Sequence, residues 1–219
     1  MKKYFEILKK CPLFYGINEE NLEKMLVCLD AKIEFFDKKY TVISEGNPAK
    51  YIGIMLSGSA QISKVDYYGN RSIISNISPS EVFGEAFACA GIETVPVTIT
   101  ANEASFVMLI DCNRILYTCS NGCDFHRQLI FNLMTDLANK TLLFHKKIEI
   151  TSKKTTREKL MTYLMITAKE LKNSSFSIPF NRQELADYLG VERSGLSLEI
   201  SKLIKEGVIN SQKNYFELL

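Results

Sequence analysis

Histidine is scarce in this 219-residue chain, which contains only His126 and His145. Residues 1–125 therefore cannot form a metal site that depends on histidine ligands. The six cysteines include no Cys-x-x-Cys pair, which argues against structural zinc. No apolar run approaches the roughly 20 residues that a membrane-spanning helix needs. We therefore expect a cytoplasmic protein with neither a membrane partner nor a metal site.

Net charge is also small, at +2, so the chain as a whole does not have the strong basic excess of many nucleic-acid binders. The distribution is uneven, however. Residues 153–219 hold 11 lysine and arginine residues against 8 aspartate and glutamate residues, whereas residues 1–152 hold 16 against 17. The positive surplus thus lies in the C-terminal third of the chain, where nucleic acid would be attracted.

No secretory signal is visible, so we expect the cysteines to be reduced, buried and apolar rather than joined in disulfides. For Cys119 and Cys123, a redox or metal pair is the alternative. The full set is Cys11, Cys28, Cys89, Cys112, Cys119 and Cys123.

Residues 181–206 have the pattern of two short helices joined by a tight turn. Asn181 can cap the first helix, and Glu184 three residues later can accept a hydrogen bond from the cap's own N–H. Gly190 ends this helix, since glycine tolerates the left-handed backbone of a sharp turn. The spacing is typical of a helix-turn-helix motif, and an ordinary helical hairpin is the alternative.

The second helix of the motif has an apolar and a polar side, and such a helix enters the major groove of DNA. Its predicted inward stripe is Leu196, Ile200, Leu203 and Ile204. Residues 208–219 predict two short strands, which would make the unit a winged helix. Arg193 is the candidate for a bidentate contact with guanine. The full set of candidate DNA-binding residues is Arg182, Gln183, Arg193, Ser194, Gly195, Ser197 and Lys202; of these, Arg182, Gln183 and Lys202 are candidates for phosphate contacts.

The first 123 residues change from a helical to a strand-like pattern. Helical spacing covers residues 1–30, and seven short segments rich in β-branched and aromatic residues follow between residues 31 and 110. Many short strands predict a jelly-roll barrel, which binds ligands in its interior or mouth. A cupin-type enzyme is excluded, because its metal would need histidines on these strands.

A long helix is predicted for residues 124–150, with apolar residues at near-heptad spacing. We expect it to pair with the same helix of a second subunit, and packing against its own barrel is the alternative. The predicted seam is Ile130, Leu133, Leu137, Phe144 and Ile148. The α+β chain thus divides into an effector-sensing barrel domain with N-terminal helices (1–123), a dimerisation helix (124–150) and a winged-helix domain (151–219), which begins with a polar hinge at 151–156.

This order resembles the Crp/Fnr family of bacterial transcription regulators over essentially the whole chain. One segment that carries the resemblance is EGNPAKYIGIMLSGSAQIS followed by Val82-Phe83-Gly84-Glu85, similar to the Gly-Glu of the family's cyclic-nucleotide-binding fold. The other is NRQELADYLGVERSGLSLEISKL, similar to the family's DNA-binding motif. The resemblance implies a homodimer that binds pseudo-palindromic double-stranded DNA and responds to a small-molecule effector. It also makes RNA polymerase a candidate partner.

The effector site departs from that of cyclic-AMP-binding members. There the Gly-Glu is followed about ten residues later by an Arg-Ser or Arg-Thr pair that holds the cyclic phosphate by charge-assisted hydrogen bonds. Val95-Pro96 stands in that region here, and no arginine or lysine occurs between Glu85 and Arg114. We therefore expect no tight binding of cyclic AMP. The candidate effector-pocket residues are Phe83, Gly84, Glu85, Val95, Phe144 and His145.

Cofactors of other family members are not expected either. Only Cys11 and Cys28 lie where oxygen-sensing members carry an iron–sulfur cysteine cluster, too few for a four-thiolate site. Haem needs an axial ligand, and both histidines lie on the long helix. The recognition helix also departs, because the family pattern Glu-Arg-Ser-x-Leu-Ser-Arg ends here at Leu198. A ligand-binding or interaction module with weak or lost DNA binding is therefore the alternative function.

Overall fold

The computed structural model describes residues 2–65, 67–68, 71–117 and 124–219. Contacts between residues divide the chain into two compact units, Met1–Asn139 and Lys140–Leu219. This division falls inside the long helix, so the three-part division derived from the sequence stays a prediction. The alternative redox or metal pair, Cys119 and Cys123, lies outside the described residues.

Two four-stranded antiparallel sheets form the centre of the first unit. One has the order β1 (Lys32–Phe36), β8 (Ser105–Asp111), β3 (Tyr51–Ser57) and β6 (Val82–Phe83). The other has the order β2 (Thr41–Ile43), β7 (Thr98–Ala101), β4 (Ala60–Val65) and β5 (Arg71–Ile77). All seven predicted strands are present, and the two-residue strand β6 is an addition.

The jelly-roll architecture is confirmed, but the strands do not close into a barrel. No pairing joins the two sheets among the strands that the structure describes. Instead they share an apolar cluster, to which Met55 and Val107 contribute from one sheet and Ala60 and Ile99 from the other. The edge strands β2 and β6 are only three and two residues long, so their ladders end before a ring can close.

Both faces of the central strand β3 are buried. Ile52, Ile54 and Leu56 face an apolar cluster shared with helices, while Met55 faces the second sheet, as the two-residue period of a strand requires. Gly53 lies against the ring of Phe83, and a Cβ built there would overlap that ring. The glycine therefore leaves room for the Phe83 ring beside β3, where β6 pairs with it.

The helices of the first unit pack on the outer face of this sheet. They are α1 (Phe5–Leu8), α2 (Glu19–Cys28), α3 (Glu85–Cys89), α4 (Cys112–Leu116) and the first part of α5 (Asp124–Thr151). The predicted helical region at 1–30 is confirmed, with short 3-10 turns at Lys2–Tyr4 and Pro12–Phe14. Asn132 on α5 donates to the carbonyls of Leu13 and Tyr15, at 2.9 and 2.8 Å, which ties this helix to the N-terminal segment.

The long helix is confirmed, but its predicted apolar seam is wrong in part. Leu133 is buried, and Ile130 and Leu137 pack on the core of their own unit. The apolar period of the sequence did not distinguish side chains that pack on the core from side chains that are exposed. Helix α5 also carries exposed apolar side chains, between 58 and 65% accessible: Phe131, Met134, Leu142, Leu143, Phe144 and Ile148.

The prediction of six buried cysteines is also wrong in part. Cys11 and Cys112 are buried, but Cys28 is exposed and Cys89 is half-buried. None of these four described cysteines is in a disulfide.

The second unit is a winged helix, as predicted. Its elements are α6 (Thr156–Leu171), β9 (Ser175–Ser177), α7 (Arg182–Leu189), α8 (Arg193–Lys205), β10 (Ile209–Gln212) and β11 (Tyr215–Leu218). The strands form an antiparallel sheet in the order β10-β11-β9. Residues 152–155 separate α5 from α6, where Thr155 and Glu158 form a capping box. None of the helices described in either unit is long and apolar enough to cross a bilayer.

Candidate nucleic-acid interface and effector site

Hydrogen bonds fix both ends of α7, and those at its C-terminal end fix the turn to α8. The Asn181 side chain accepts from the N–H groups of Gln183 and Glu184, at 2.9 and 3.0 Å, and Glu184 accepts from the Asn181 N–H at 2.7 Å. Gly190 has the left-handed φ of 62°, and the next N–H, of Val191, donates to the Ala186 carbonyl at 3.0 Å. The predicted capping box and glycine stop are confirmed.

The first two turns of α8 present polar residues to solvent. Arg193, Ser194, Gly195 and Ser197 are exposed, whereas Leu196 between them is fully buried. Arg193 has no hydrogen bond or ion pair with any part of the chain that the structure describes. No atom lies within 4 Å of a Cβ built at Gly195. This end of the helix is therefore open to a partner.

The apolar stripe of α8 is narrower than the sequence indicated. Leu196, Ile200 and Leu203 are buried, but Ile204 is 38% exposed. The helix packs against α6, α7 and β10 through these three side chains.

Arg157 on α6 holds α8 at two points. Its Nη1 donates to Glu206 Oε1 at 3.1 Å, and its Nη2 contacts the other oxygen of the same carboxylate. Glu199 Oε1 lies 3.6 Å from Nη1. The hydrogen bond from Arg157 lowers the pKa of Glu206 below its usual value. The ion pair orients α8 without covering Arg193 or Ser197.

Arg182 has partners inside its own unit, which the sequence did not indicate. Its Nη2 donates to the Lys213 carbonyl at 3.2 Å, and the guanidinium lies 5.6 Å from the centre of the Phe216 ring. Burial lowers the pKa of Arg182. The side chain thus anchors the turn between β10 and β11. By contrast, Gln183 is exposed, and its side-chain amide donates to Asp187, one helical turn away, at 2.9 Å.

Four effector-pocket candidates lie in the first unit and are largely buried. Phe83 is 2% exposed, Glu85 5% and Val95 4%. Gly84 has φ 78° and begins α3. The Val95 N–H donates to the Asn47 carbonyl at 2.8 Å, so Val95 also fixes a loop. The other two candidates, Phe144 and His145, are exposed residues of α5 in the second unit.

A concave surface that the sequence did not indicate lies on the second sheet of the first unit. It has a volume of about 650 Å³. Its residues alternate along the strands with Ala60 and Ile99, so they line the face that points away from the other sheet. Most of its lining residues have polar side chains, among them Lys38, Lys39, Gln61, Ser63, Thr98 and Thr100. Strand alternation alone could have marked it as a polar face.

Each unit matches the model of a known protein family. The model of the cyclic nucleotide-binding domain matches residues 33–121, and that of the Crp-like helix-turn-helix domain matches residues 158–219. The chain belongs to the Crp/Fnr family of DNA-binding transcription regulators. Transcriptional activator protein FnrL of Cereibacter sphaeroides is 26% identical over 189 residues, 77% of this chain and 68% of that protein. Transcriptional activator protein anr of Pseudomonas aeruginosa is 22% identical over 180 residues, 80% and 71% of the two chains.

Solved structures share the Crp/Fnr fold. The c-di-GMP responsive global regulator CLP of Xanthomonas campestris has a TM-score of 0.59 at 18% identity, covering 92% of this chain and 99% of that one. DNR of Pseudomonas aeruginosa has a TM-score of 0.53 at 20% identity, covering 100% of this chain and 95% of that one. At these identities the likeness establishes the fold.

The recognition helix of this Crp/Fnr chain carries an exposed leucine on its polar side. Leu198 is 59% exposed and stands where the family pattern quoted above has an arginine. Arg193 is consequently the one cation within the first six residues of α8. The exposed surface around it consists of hydroxyls, backbone and the Leu198 side chain.

Replacement of Arg182 by alanine is predicted to loosen the wing. The Arg182→Ala variant loses the bond to the Lys213 carbonyl and the contact with Phe216, which together are worth about 1–2 kcal/mol. Amide hydrogen exchange should therefore speed up roughly 5- to 30-fold in residues 209–218. The matched control is Gln183→Ala, which removes only an exposed pair worth about 0.2–0.5 kcal/mol. Equal exchange in both variants would show that Arg182 does not hold the wing.

Proposed function

We propose that this Crp/Fnr chain is a homodimeric, sequence-specific DNA-binding regulator whose first unit responds to a small-molecule effector other than cyclic AMP. The observation that carries the proposal is the open N-terminal end of α8. Arg193 is exposed there with no described partner, on a helix whose other side is fixed by buried leucines and by Arg157. A rigid helix with an uncommitted arginine at its start fits base readout in the major groove.

We assign the base contacts to α8 and the phosphate contacts to both helices of the motif. Arg193 is positioned for a bidentate contact with guanine O6 and N7, and Ser194 and Ser197 for hydrogen bonds to neighbouring bases or phosphates. Gly195 lets the backbone approach closely, since no side chain intervenes. Gln183 at the start of α7 and Lys202 on α8 are exposed and suit phosphate contacts. Arg182 serves chiefly as a positioning residue for the wing.

Dimerisation is supported by exposed apolar side chains on α5. Phe131, Met134, Leu142 and Ile148 are each more than half exposed. Their spacing follows one side of a helix, and a second copy of the same helix would cover them in coiled-coil fashion. Two recognition helices related by a two-fold axis would then meet major grooves about 34–36 Å apart, the spacing of a pseudo-palindromic site.

The first unit supplies the effector response. Glu85 is a buried carboxylate at the start of α3, and Val95 is a buried aliphatic residue where cyclic-AMP-binding members have an arginine. Without that cation, a buried cyclic phosphate would lack its charge-assisted hydrogen bonds. An effector that shifts the equilibrium between two states must bind one of them more tightly, and we place that differential binding in this unit.

Leu198 favours a second candidate, an interaction module that has lost DNA binding. An exposed leucine on the recognition helix is an apolar contact for a protein partner as readily as for a thymine methyl group. Gel shifts of the full chain on random-sequence duplexes, over a salt series, separate the two candidates. Binding that weakens steeply with salt supports the regulator, and no binding at low salt supports the interaction module.

Replacement of Arg193 tests base readout directly. The Arg193→Ala variant is predicted to lose about 1–3 kcal/mol of preference for a selected cognate site over random duplex. Lys202→Ala is the matched control, because a phosphate contact contributes equally to both kinds of DNA. Fluorescence anisotropy with cognate and random duplexes measures both affinities. If Arg193→Ala weakens the two equally, Arg193 contacts only phosphate.

Two neighbouring leucines on α5 test the dimer. Leu142 and Leu143 are 58 and 61% exposed. Because successive residues lie about 100° apart around a helix, the two side chains point in different directions. Leu142→Asp is predicted to raise the dimer dissociation constant at least about tenfold, because the carboxylate would be buried without a partner. Leu143→Asp should leave the dissociation constant unchanged. Analytical ultracentrifugation across a dilution series reads both, and identical constants would rule out the proposed face.

Titration with cyclic AMP tests the nature of the effector. Loss of a hydrogen bond to a charged group costs about 1.5–3 kcal/mol, so affinity should be roughly 10- to 100-fold weaker than in a site with the arginine. Isothermal titration calorimetry of the full chain is expected to show no saturable heat at micromolar concentrations. A micromolar dissociation constant that Glu85→Gln weakens would contradict the proposal.

A further inference from the structure

Two cysteines of the first unit lie next to each other. Cys89 ends α3 and Cys112 begins α4, and their Sγ atoms are 3.7 Å apart without a disulfide between them. Cys112 is 3% exposed, and its N–H donates to the Lys50 carbonyl at 2.9 Å, which fixes the start of α4. Cys89 is half-buried, so it is the more accessible residue of the pair.

The two thiols have different chemical character. A hydrogen bond from Cys112 lowers the pKa of Cys89, although burial and the nearby Glu85 carboxylate oppose that shift. The same hydrogen bond, burial and the Asp111 carboxylate raise the pKa of Cys112. The thiolate is the reactive form of cysteine, so the more accessible sulfur is also the better nucleophile.

We propose that Cys89 and Cys112 form a reactive dithiol that a hydroperoxide converts into an intramolecular disulfide. The Cys89 thiolate attacks one peroxide oxygen, the O–O bond breaks, and the leaving hydroxide takes up the proton that the Cys89 thiol had released, so a sulfenic acid and one water form. The Cys112 sulfur then attacks the sulfenic sulfur, its proton leaves with the hydroxyl as a second water, and the S–S bond closes. Two thiols lose two electrons in total, and one hydrogen peroxide is reduced to two waters.

The geometry suits this step. A disulfide needs sulfurs about 2 Å apart, so the pair has to close by roughly 1.6 Å, which rotation of the half-buried Cys89 side chain can supply. Cys11 and Cys28 are the other described cysteines, and a link from either of them to Cys89 or Cys112 is the competing pairing.

The bond would join α3 to α4. Because α3 begins at Glu85, oxidation would restrain the segment that holds the proposed effector carboxylate. This consequence rests on the effector function proposed above, whereas formation of the disulfide does not. The two are therefore measured separately.

Peptide mapping of the full reduced chain tests the dithiol. The protein is treated with one equivalent of hydrogen peroxide, alkylated with N-ethylmaleimide and digested without reductant by a protease that cuts after glutamate, because no lysine or arginine separates the two cysteines. Mass spectrometry is expected to find the Cys89 and Cys112 peptides joined, two hydrogens lighter than the separate peptides and released by dithiothreitol. Cys28→Ser, which removes an exposed cysteine outside the pair, should give the same link, and Cys89→Ser should give none.

A second variant tests the resolving role of Cys112 by a gain of signal rather than a loss. In Cys112→Ser the sulfenic acid at Cys89 has no resolving thiol, so its dimedone adduct should be at least about tenfold more abundant than in the unaltered chain. The proposal is overturned if the unaltered chain shows Cys89 and Cys112 both alkylated after peroxide, or linked to other cysteines or to a second chain. DNA binding of the oxidised chain is a separate readout, and its failure to change would disprove only the effect on regulation.

Discussion

The reversal of the chain at Gly190 is the constraint on which the candidate DNA interface depends. A left-handed residue there lets α8 begin after only three intervening residues, and the bond from the Val191 N–H to the Ala186 carbonyl fixes the angle of departure. That angle places Leu196, Ile200 and Leu203 in the core of the unit. The polar residues between them then face solvent by the geometry of the helix alone. A side chain with a Cβ at position 190 would make this backbone costly.

The features that the sequence predicted are those set by neighbours along the chain. The capping box at Asn181, the stop at Gly190 and the wing at residues 208–219 each depend on interactions within a few positions, so their residue types carry the signal. Arg182 shows that contacts between distant parts of the chain could not be predicted in this way. Its partners, the Lys213 carbonyl and the Phe216 ring, are about thirty positions away, and nothing in the local pattern distinguishes it from an arginine that meets phosphate. The open sheets have a similar cause, since closure depends on how far edge strands extend and not on their composition.

Helix α5 shows why a periodic pattern was insufficient at the dimer face. The helix is apolar on more than one side, because Leu133 and Leu137 complete the core of the first unit while Met134 and Leu142 do not. The predicted heptad seam joined core residues such as Leu137 to exposed residues such as Phe144 and Ile148. In the effector segment the ambiguity is chemical, because the protein's own atoms bury Phe83, Glu85 and Val95. These residue types suit core packing as well as ligand contact, so the sequence pattern does not distinguish the two roles.

Arg157 has a consequence for how such a regulator can diverge. Arg157 pairs with Glu199 and Glu206, so it secures α8 through residues that lie outside the proposed base-reading surface. The scaffold and the reading surface are thereby separated within a single helix, so residues 194, 195, 197 and 198 are exchangeable with little loss of stability. A duplicated copy of the gene could acquire a new set of promoters through a few substitutions on that surface, with the sensing unit inherited unchanged.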